Sequence, residues 1–175
     1  HLMTHGFFKA LLFLSAGSVI TALHHEQDMR YMGGLAKKMP QTTVLMWIGS
    51  LAIIGFPFFS GYYSKESILE IAYFTNSNIA LYAYVVGILT AFLTAFYSWR
   101  LLFMTFHGNS RVPHNILTQV RESPKVMTIP LFILAAGSIF SGLFFVDVFV
   151  GLDKEIHWEL IVFAKTETKI IVDDN

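Results

Sequence analysis

An all-α polytopic membrane protein with about four transmembrane helices, one of them discontinuous between Gly55 and Gly61, is the architecture this 175-residue sequence predicts. Three observations predict it. Of the residues, 54% are hydrophobic and only 14% charged, against about 25% charged in an ordinary soluble domain, so the chain needs lipid as its solvent. The apolar residues fall into stretches of helix-spanning length separated by short polar or basic segments. One stretch is interrupted in its middle by Gly55, Pro57 and Gly61, residues that break helices because proline lacks the amide donor and glycine admits non-helical angles.

Composition also removes function classes. Lys+Arg and Asp+Glu number 12 each, so no basic excess points to a nucleic-acid partner. The Cys count of 0 leaves these residues without disulfides, thiolate metal sites or cysteine-ligated iron–sulfur clusters. The sequence starts at His1 close to an apolar run, without the zones of a signal peptide, and is expected to be an internal fragment of a longer protein or the product of a split gene.

A membrane-spanning helix takes roughly 20 mainly apolar residues. Residues 6–23 approach that length and place the first helix at about 1–23, its start open to lie upstream of His1. Residues 24–40 are polar, with Gly33, Gly34 and Pro40 as breakers, and read as a loop. The stretch 41–75 is too long for one straight span, and is either a single span broken at its centre or two half-length excursions. Loop charge favours the single broken span. Arg30, Lys37 and Lys38 lie in the 24–40 loop and Arg111, Arg121 and Lys125 in or beside the 107–124 loop, whereas the connection Asn76-Ser77-Asn78 carries no Lys or Arg. Both basic loops then belong on the cytoplasmic or matrix side, which requires 41–75 to cross once. Helices at 79–106 and 126–150 complete a transmembrane domain over 1–150, and 151–175 is a polar tail of open structure.

Ionisable residues inside apolar stretches carry the functional signal. His1, His5 and Lys9 recur at i, i+4 and i+8, on one face of the first helix. A lysine at a helix centre costs roughly 2.5–3.5 kcal/mol on insertion scales, and such residues mark ion or proton paths as a rule. Burial perturbs a lysine's protonation and histidine titrates near neutrality, so this row suits proton passage. The competing structural reading has Lys9 snorkelling near a helix end beside interfacial histidines. Lys65 follows the break directly, in Gly61-Tyr62-Tyr63-Ser64-Lys65-Glu66. A broken membrane helix leaves carbonyls on one side and amides on the other to be satisfied by protein or a cavity. That coincidence favours a functional Lys65 over a solvated helix start.

Other polar groups read as structural. His24 and His25 with Glu26 and Asp28 make a weak metal pattern and a good solvated loop. Thr90, Thr94 and Tyr97 or Ser98, and the small pairs Gly137/Ser141 and Ser138/Gly142, are packing faces between membrane helices. Arg100 and His107 close the helix at 79–106 and are expected to snorkel. His1 and His5 on one helix give poor support for haem, and no glycine-rich phosphate loop is present.

The stretches 1–20 (HLMTHGFFKALLFLSAGSVI), 28–35 (DMRYMGGL), 55–66 (GFPFFSGYYSKE) and 97–108 (YSWRLLFMTFHG) together resemble the C-terminal half of the antiporter-like proton-pumping subunits of respiratory complex I, the NADH:quinone oxidoreductase. The likeness is specific over 1–108, looser through 126–150, and gives no guidance beyond Gly151. It implies a membrane-arm subunit carrying part of a proton path coupled to quinone reduction. Lys65 would be the terminal lysine on the discontinuous helix through which protons leave, and His1, His5 and Lys9 members of a polar axis along mid-membrane. The same resemblance implies no cofactor in this chain, with NADH, FMN, iron–sulfur clusters and quinone in partner subunits. It implies other membrane-arm subunits as partners and a bacterial cytoplasmic or mitochondrial inner membrane as location. Gly6 stands where Ala is common in the family, and Phe58 where a second Pro is common. The family's N-terminal half and its lateral helix are not among these residues. Subunits of multisubunit sodium/proton antiporters and membrane-bound hydrogenases share the lysines and broken helix, and a non-conducting membrane subunit is a third possibility.

Overall fold

A computed structural model describes residues 1–75 and 77–149, so the tail expected at 151–175 lies outside the described residues. Among these residues six α-helices follow one another: α1 Leu2–Ala22, α2 Pro40–Ile54, α3 Ser60–Phe74, α4 Asn78–Phe106, α5 His114–Leu117 and α6 Lys125–Phe149. No strand occurs among the described residues. Helices α1, α4 and α6 as far as Phe145 are long and apolar enough to cross a membrane, and α2 is a shorter apolar helix. The predicted all-α membrane fold is therefore present, with its discontinuity between Gly55 and Gly61.

The compact unit spans residues 1–144. Its core is stacked along α1 and α2 in three clusters. Val19 of α1 and Leu23, the residue after that helix, meet Met39, Met46, Leu102 and Phe106 at one end. Leu11 meets Leu45 together with Leu131 and Ala135 of α6 in the middle, and Phe8 meets Ala52 and Ile53 at the other end. Numbers fall along α1 as they rise along α2, so the two helices are antiparallel. Their length is set by sequence: α2 starts on Pro40, whose missing amide and fixed φ suit a first helical position, and stops at Gly55.

The two basic loops interlock at the Val19 end. The Gly34 amide donates to the His107 carbonyl at 3.3 Å. The Arg111 guanidinium donates to the Arg30, Met29 and Met104 carbonyls at 2.8, 3.2 and 2.7 Å. Helix α1 ends there, α2 starts there and α4 returns there, so α2 and α3 together lead away from that end once. Short helical turns at Met29–Tyr31, Leu35–Lys37 and α5 occupy what sequence alone reads as plain loop. The first of them is nucleated locally, since the Asp28 carboxylate accepts the Arg30 amide at 2.9 Å.

His107 differs from its sequence expectation. It is half-buried rather than extended toward solvent, and its Nε2 accepts a hydrogen bond from Trp47 Nε1 at 3.2 Å, with the Phe103 ring at 5.7 Å. The physical reason is a donor that α2 brings from 60 residues away, which is invisible to helix periodicity. Of the polar stripe on α4, Thr94 and Ser98 are buried while Thr90 and Tyr97 are exposed.

Candidate functional site at the helix break

Helix α2 stops because Gly55 takes a left-handed conformation, φ 88° and ψ 41°. Its amide donates to the Ala52 carbonyl at 3.2 Å and the Phe56 amide to the Leu51 carbonyl at 3.0 Å. That pair is the Schellman arrangement, which satisfies two of the carbonyls that a helix end leaves open. Pro57 cannot continue the helix, Phe58 turns the chain at φ 74°, and Phe59 enters α3 in extended conformation.

Gly61 then brings the first turn of α3 against the last turn of α2. A Cβ at Gly61 would overlap the Ala52 carbonyl oxygen and come within 3.5 Å of the Phe8 ring. This close approach places Lys65, one turn further on, beside a carbonyl the Schellman bonds leave open. Its Nζ donates to the Ile53 carbonyl at 3.0 Å. The lysine, half-buried, thus completes the C-terminal cap of a helix it does not belong to. Its ammonium sits at the negative end of the α2 dipole, an interaction of roughly 0.3–1 kcal/mol that grows when partly buried.

Helix α1 supplies the other polar groups. Ser64, next to Lys65, lies 3.0 Å from Thr4 Oγ1 and 2.9 Å from His1 Nδ1. Thr4 Oγ1 also reaches the His1 carbonyl at 3.0 Å, and Ser64 Oγ reaches the Ser60 carbonyl at 3.2 Å. Each hydroxyl has one proton and more than one acceptor in reach, so donor and acceptor roles exchange by rotation about a single bond. The His5 ring stands 5.5 Å from His1 and edge-on to Phe8 at 5.2 Å.

Lys9 lies on the other side of the α2 end. It is half-buried, its Nζ is 5.4 Å from the Phe13 ring centroid, and it makes no hydrogen bond or ion pair among the described residues. It lines a cavity of about 170 Å³ with Ser50, Ile53, Tyr97 and Ser98. Ile53 is shared, since it lines the Lys9 cavity and its carbonyl holds Lys65. His1 thus meets the α3 side of the break through Ser64, Lys9 shares Ile53 with Lys65, and His5 touches His1 and Phe8.

Thr4, Ser50, Ser64 and the Ile53 carbonyl were not singled out by sequence reasoning. Only Ser64 carried a local signal, as the polar residue preceding Lys65. The others become neighbours through contacts between separate helices. Among the described residues no group of three His, Cys, Asp or Glu side chains is placed to hold a metal ion.

Comparison with known proteins identifies the family. Residues 1–94 match the family described as NADH:quinone oxidoreductase/Mrp antiporter, TM, and residues 97–168 match the NADH dehydrogenase subunit 5 C-terminus. The chain is similar to NADH-ubiquinone oxidoreductase chain 5 of Dictyostelium citrinum, 51% identical over 99% of this chain and 26% of that protein. It is similar to NADH-quinone oxidoreductase subunit L of Rhodobacter capsulatus, 49% identical over 86% of this chain and 22% of that one. With chain 5 of Arabidopsis thaliana it shares 47% identity over 95% of this chain and 25% of the relative. The chain spans about a quarter of the length of the curated relatives it matches.

Proposed function

Because the chain belongs to the NADH:quinone oxidoreductase/Mrp antiporter membrane family, we propose that it is the part of a proton-translocating NADH:quinone oxidoreductase subunit in which Lys65 exchanges protons at the broken helix. The hydrogen bond from Lys65 Nζ to the Ile53 carbonyl is the observation that carries this reading. A protonated lysine is held there by a helix C-terminus, and loss of its proton removes that electrostatic hold. Two groups of side chains are positioned to deliver or receive protons. One is the His1, Thr4 and Ser64 cluster with His5 beside it; the other is the cavity that Lys9 shares with Ser50, Tyr97 and Ser98.

In this reading the chemistry is protonation exchange, and the only bonds the chain makes or breaks are those to the exchanged protons. NADH oxidation and quinone reduction belong to partner subunits of the complex, in a bacterial cytoplasmic or mitochondrial inner membrane. The family matched by residues 1–94 also takes its description from Mrp antiporters; the match of residues 97–168 to the NADH dehydrogenase subunit 5 C-terminus supports the oxidoreductase. The test is NADH-driven proton translocation by the assembled complex carrying Lys65→Ala or Lys9→Ala. Each variant is expected to assemble and to translocate fewer protons for every NADH oxidised. Full translocation by both, at normal assembly, would overturn the assignment.

A further inference from the structure

Glu122 is the acidic residue of the basic 107–124 loop, and its carboxylate is engaged at the far end of the broken helix from Lys65. It accepts the Gln41 amide at 2.7 Å, the Thr42 amide at 3.3–3.4 Å, the Thr42 hydroxyl and the Ser123 amide at 3.4 Å. The Gln41 and Thr42 amides belong to the first turn of α2, whose own N-cap residue, Met39, provides no side-chain cap. The start of α2 is therefore capped by an anion from 81 residues away, on the positive end of its dipole. Thr42 is fully buried, so this cap is built into the packing.

Glu122 also stands three residues before the start of α6 at Lys125. Helix α6 runs beside α1 and α2, with Leu131 and Ala135 against Leu11 and Leu45. At its other end Gly142 is backed by Ser60, the first residue of α3: a Cβ there would lie 2.6 Å from the Ser60 Cα. Glu122 and the helix that follows it thus meet the N-terminus of each half-helix, α2 at the Glu122 carboxylate and α3 at Gly142 of α6. With a rise of about 1.5 Å per residue, Lys125 to Gly142 covers roughly 25 Å and the 15 residues of α2 roughly 22 Å, so one brace spans the whole first half-helix and reaches the break.

We infer that Glu122 is a positioning residue for the broken helix, fixing the axial place of α2 along α6 and so the place of the Ile53 carbonyl beneath Lys65. It acts through α2 and touches neither lysine. The functional consequence rests on the proposal that Lys65 exchanges protons, whereas the structural consequence does not, and the two are read separately. The experiment uses the full-length subunit in its assembled complex, with Glu122→Gln, which keeps one acceptor oxygen and loses the charge, and Glu122→Asp as the conservative variant. Proton translocation per NADH is measured alongside the alkylation rate of Lys65→Cys, with Ser77→Cys as a control outside the break.

Glu122→Gln is expected to raise alkylation of Lys65→Cys about fivefold, the population shift that loss of one N-cap permits, to leave Ser77→Cys unchanged, and to lower translocation. Glu122→Asp restores part of both. An increase at Lys65→Cys with wild-type translocation supports the positioning role and counts against Lys65 as a proton carrier. Unchanged alkylation at Lys65→Cys overturns the inference whatever happens to translocation, and so does an equal rise at Ser77→Cys, which would mean general loosening.

Discussion

Gly61 and Lys65 occupy consecutive turns of α3 and place opposite demands on their side chains. Gly61 has to be small because the Ala52 carbonyl lies where a Cβ would stand; Lys65 has to be long because its amine reaches past that contact to the Ile53 carbonyl. Gly61→Ala is expected to destabilise the subunit by about 1–3 kcal/mol, as overpacking does, and to weaken Lys65 function with it. Thermal melting of the purified complex, together with its translocation rate, checks both effects; an unaltered melt would mean the two half-helices are free to part. Ser64→Ala removes the hydroxyl shared by Thr4 and His1 and is expected to slow proton translocation without changing the KM for NADH. Lys65 was legible in the sequence, since a charge beside a Pro/Gly break is a local signal. Its acceptor was not, because nothing in a string of residues says which carbonyl a lysine 12 positions later will find.

At the scale of elements, the break is a pair of conformational choices with different sequence requirements. Gly55 is left-handed at φ 88° and Phe58 at φ 74°. An L-residue pays roughly 1–2 kcal/mol for that region, so Gly55→Ala is expected to destabilise by about that much. Phe58→Gly removes the strain while adding unfolded-state entropy of about 0.5–1 kcal/mol, and should be close to neutral. Chemical denaturation of the subunit distinguishes the two; equal losses would contradict the assigned cap. The position of the interruption was legible because glycine and proline act on their own dihedrals. The cap that Glu122 places on α2 was hidden, because a loop glutamate among Arg111, Arg121 and Lys125 gives no sign of the helix it will meet. Likewise the face carrying His1, His5 and Lys9 followed from helical period, but its division into a Ser64 side and an Ile53 side came from where α3 and α2 pack.

At the scale of the whole molecule, the interlocked loops give the bundle one basic end. Arg111 ties them by two carbonyl contacts and reaches the last turns of α4 by a third, and the connection near Ser77 lies at the opposite end of α4. Lys37→Cys and Arg121→Cys are therefore expected to label from one side of the membrane and Ser77→Cys from the other. The 175 residues have no cysteine of their own, so the signals are specific to the introduced sites within this segment. Labelling of all three from one side would mean that α2 and α3 enter and leave together. Since the chain corresponds to about a quarter of its relatives' length, each of these experiments belongs in the full subunit within its complex.

In the proposed function Lys65 gives up and regains a proton, beyond capping α2. Lys65→Arg separates the two roles, because arginine keeps the positive charge and the donor but does not release its proton. Protons translocated per NADH oxidised by the complex carrying Lys65→Arg is the measurement. The expected result is an assembled complex that still oxidises NADH and translocates markedly fewer protons; a wild-type ratio would show that a fixed charge at the break is sufficient and would contradict proton exchange at Lys65.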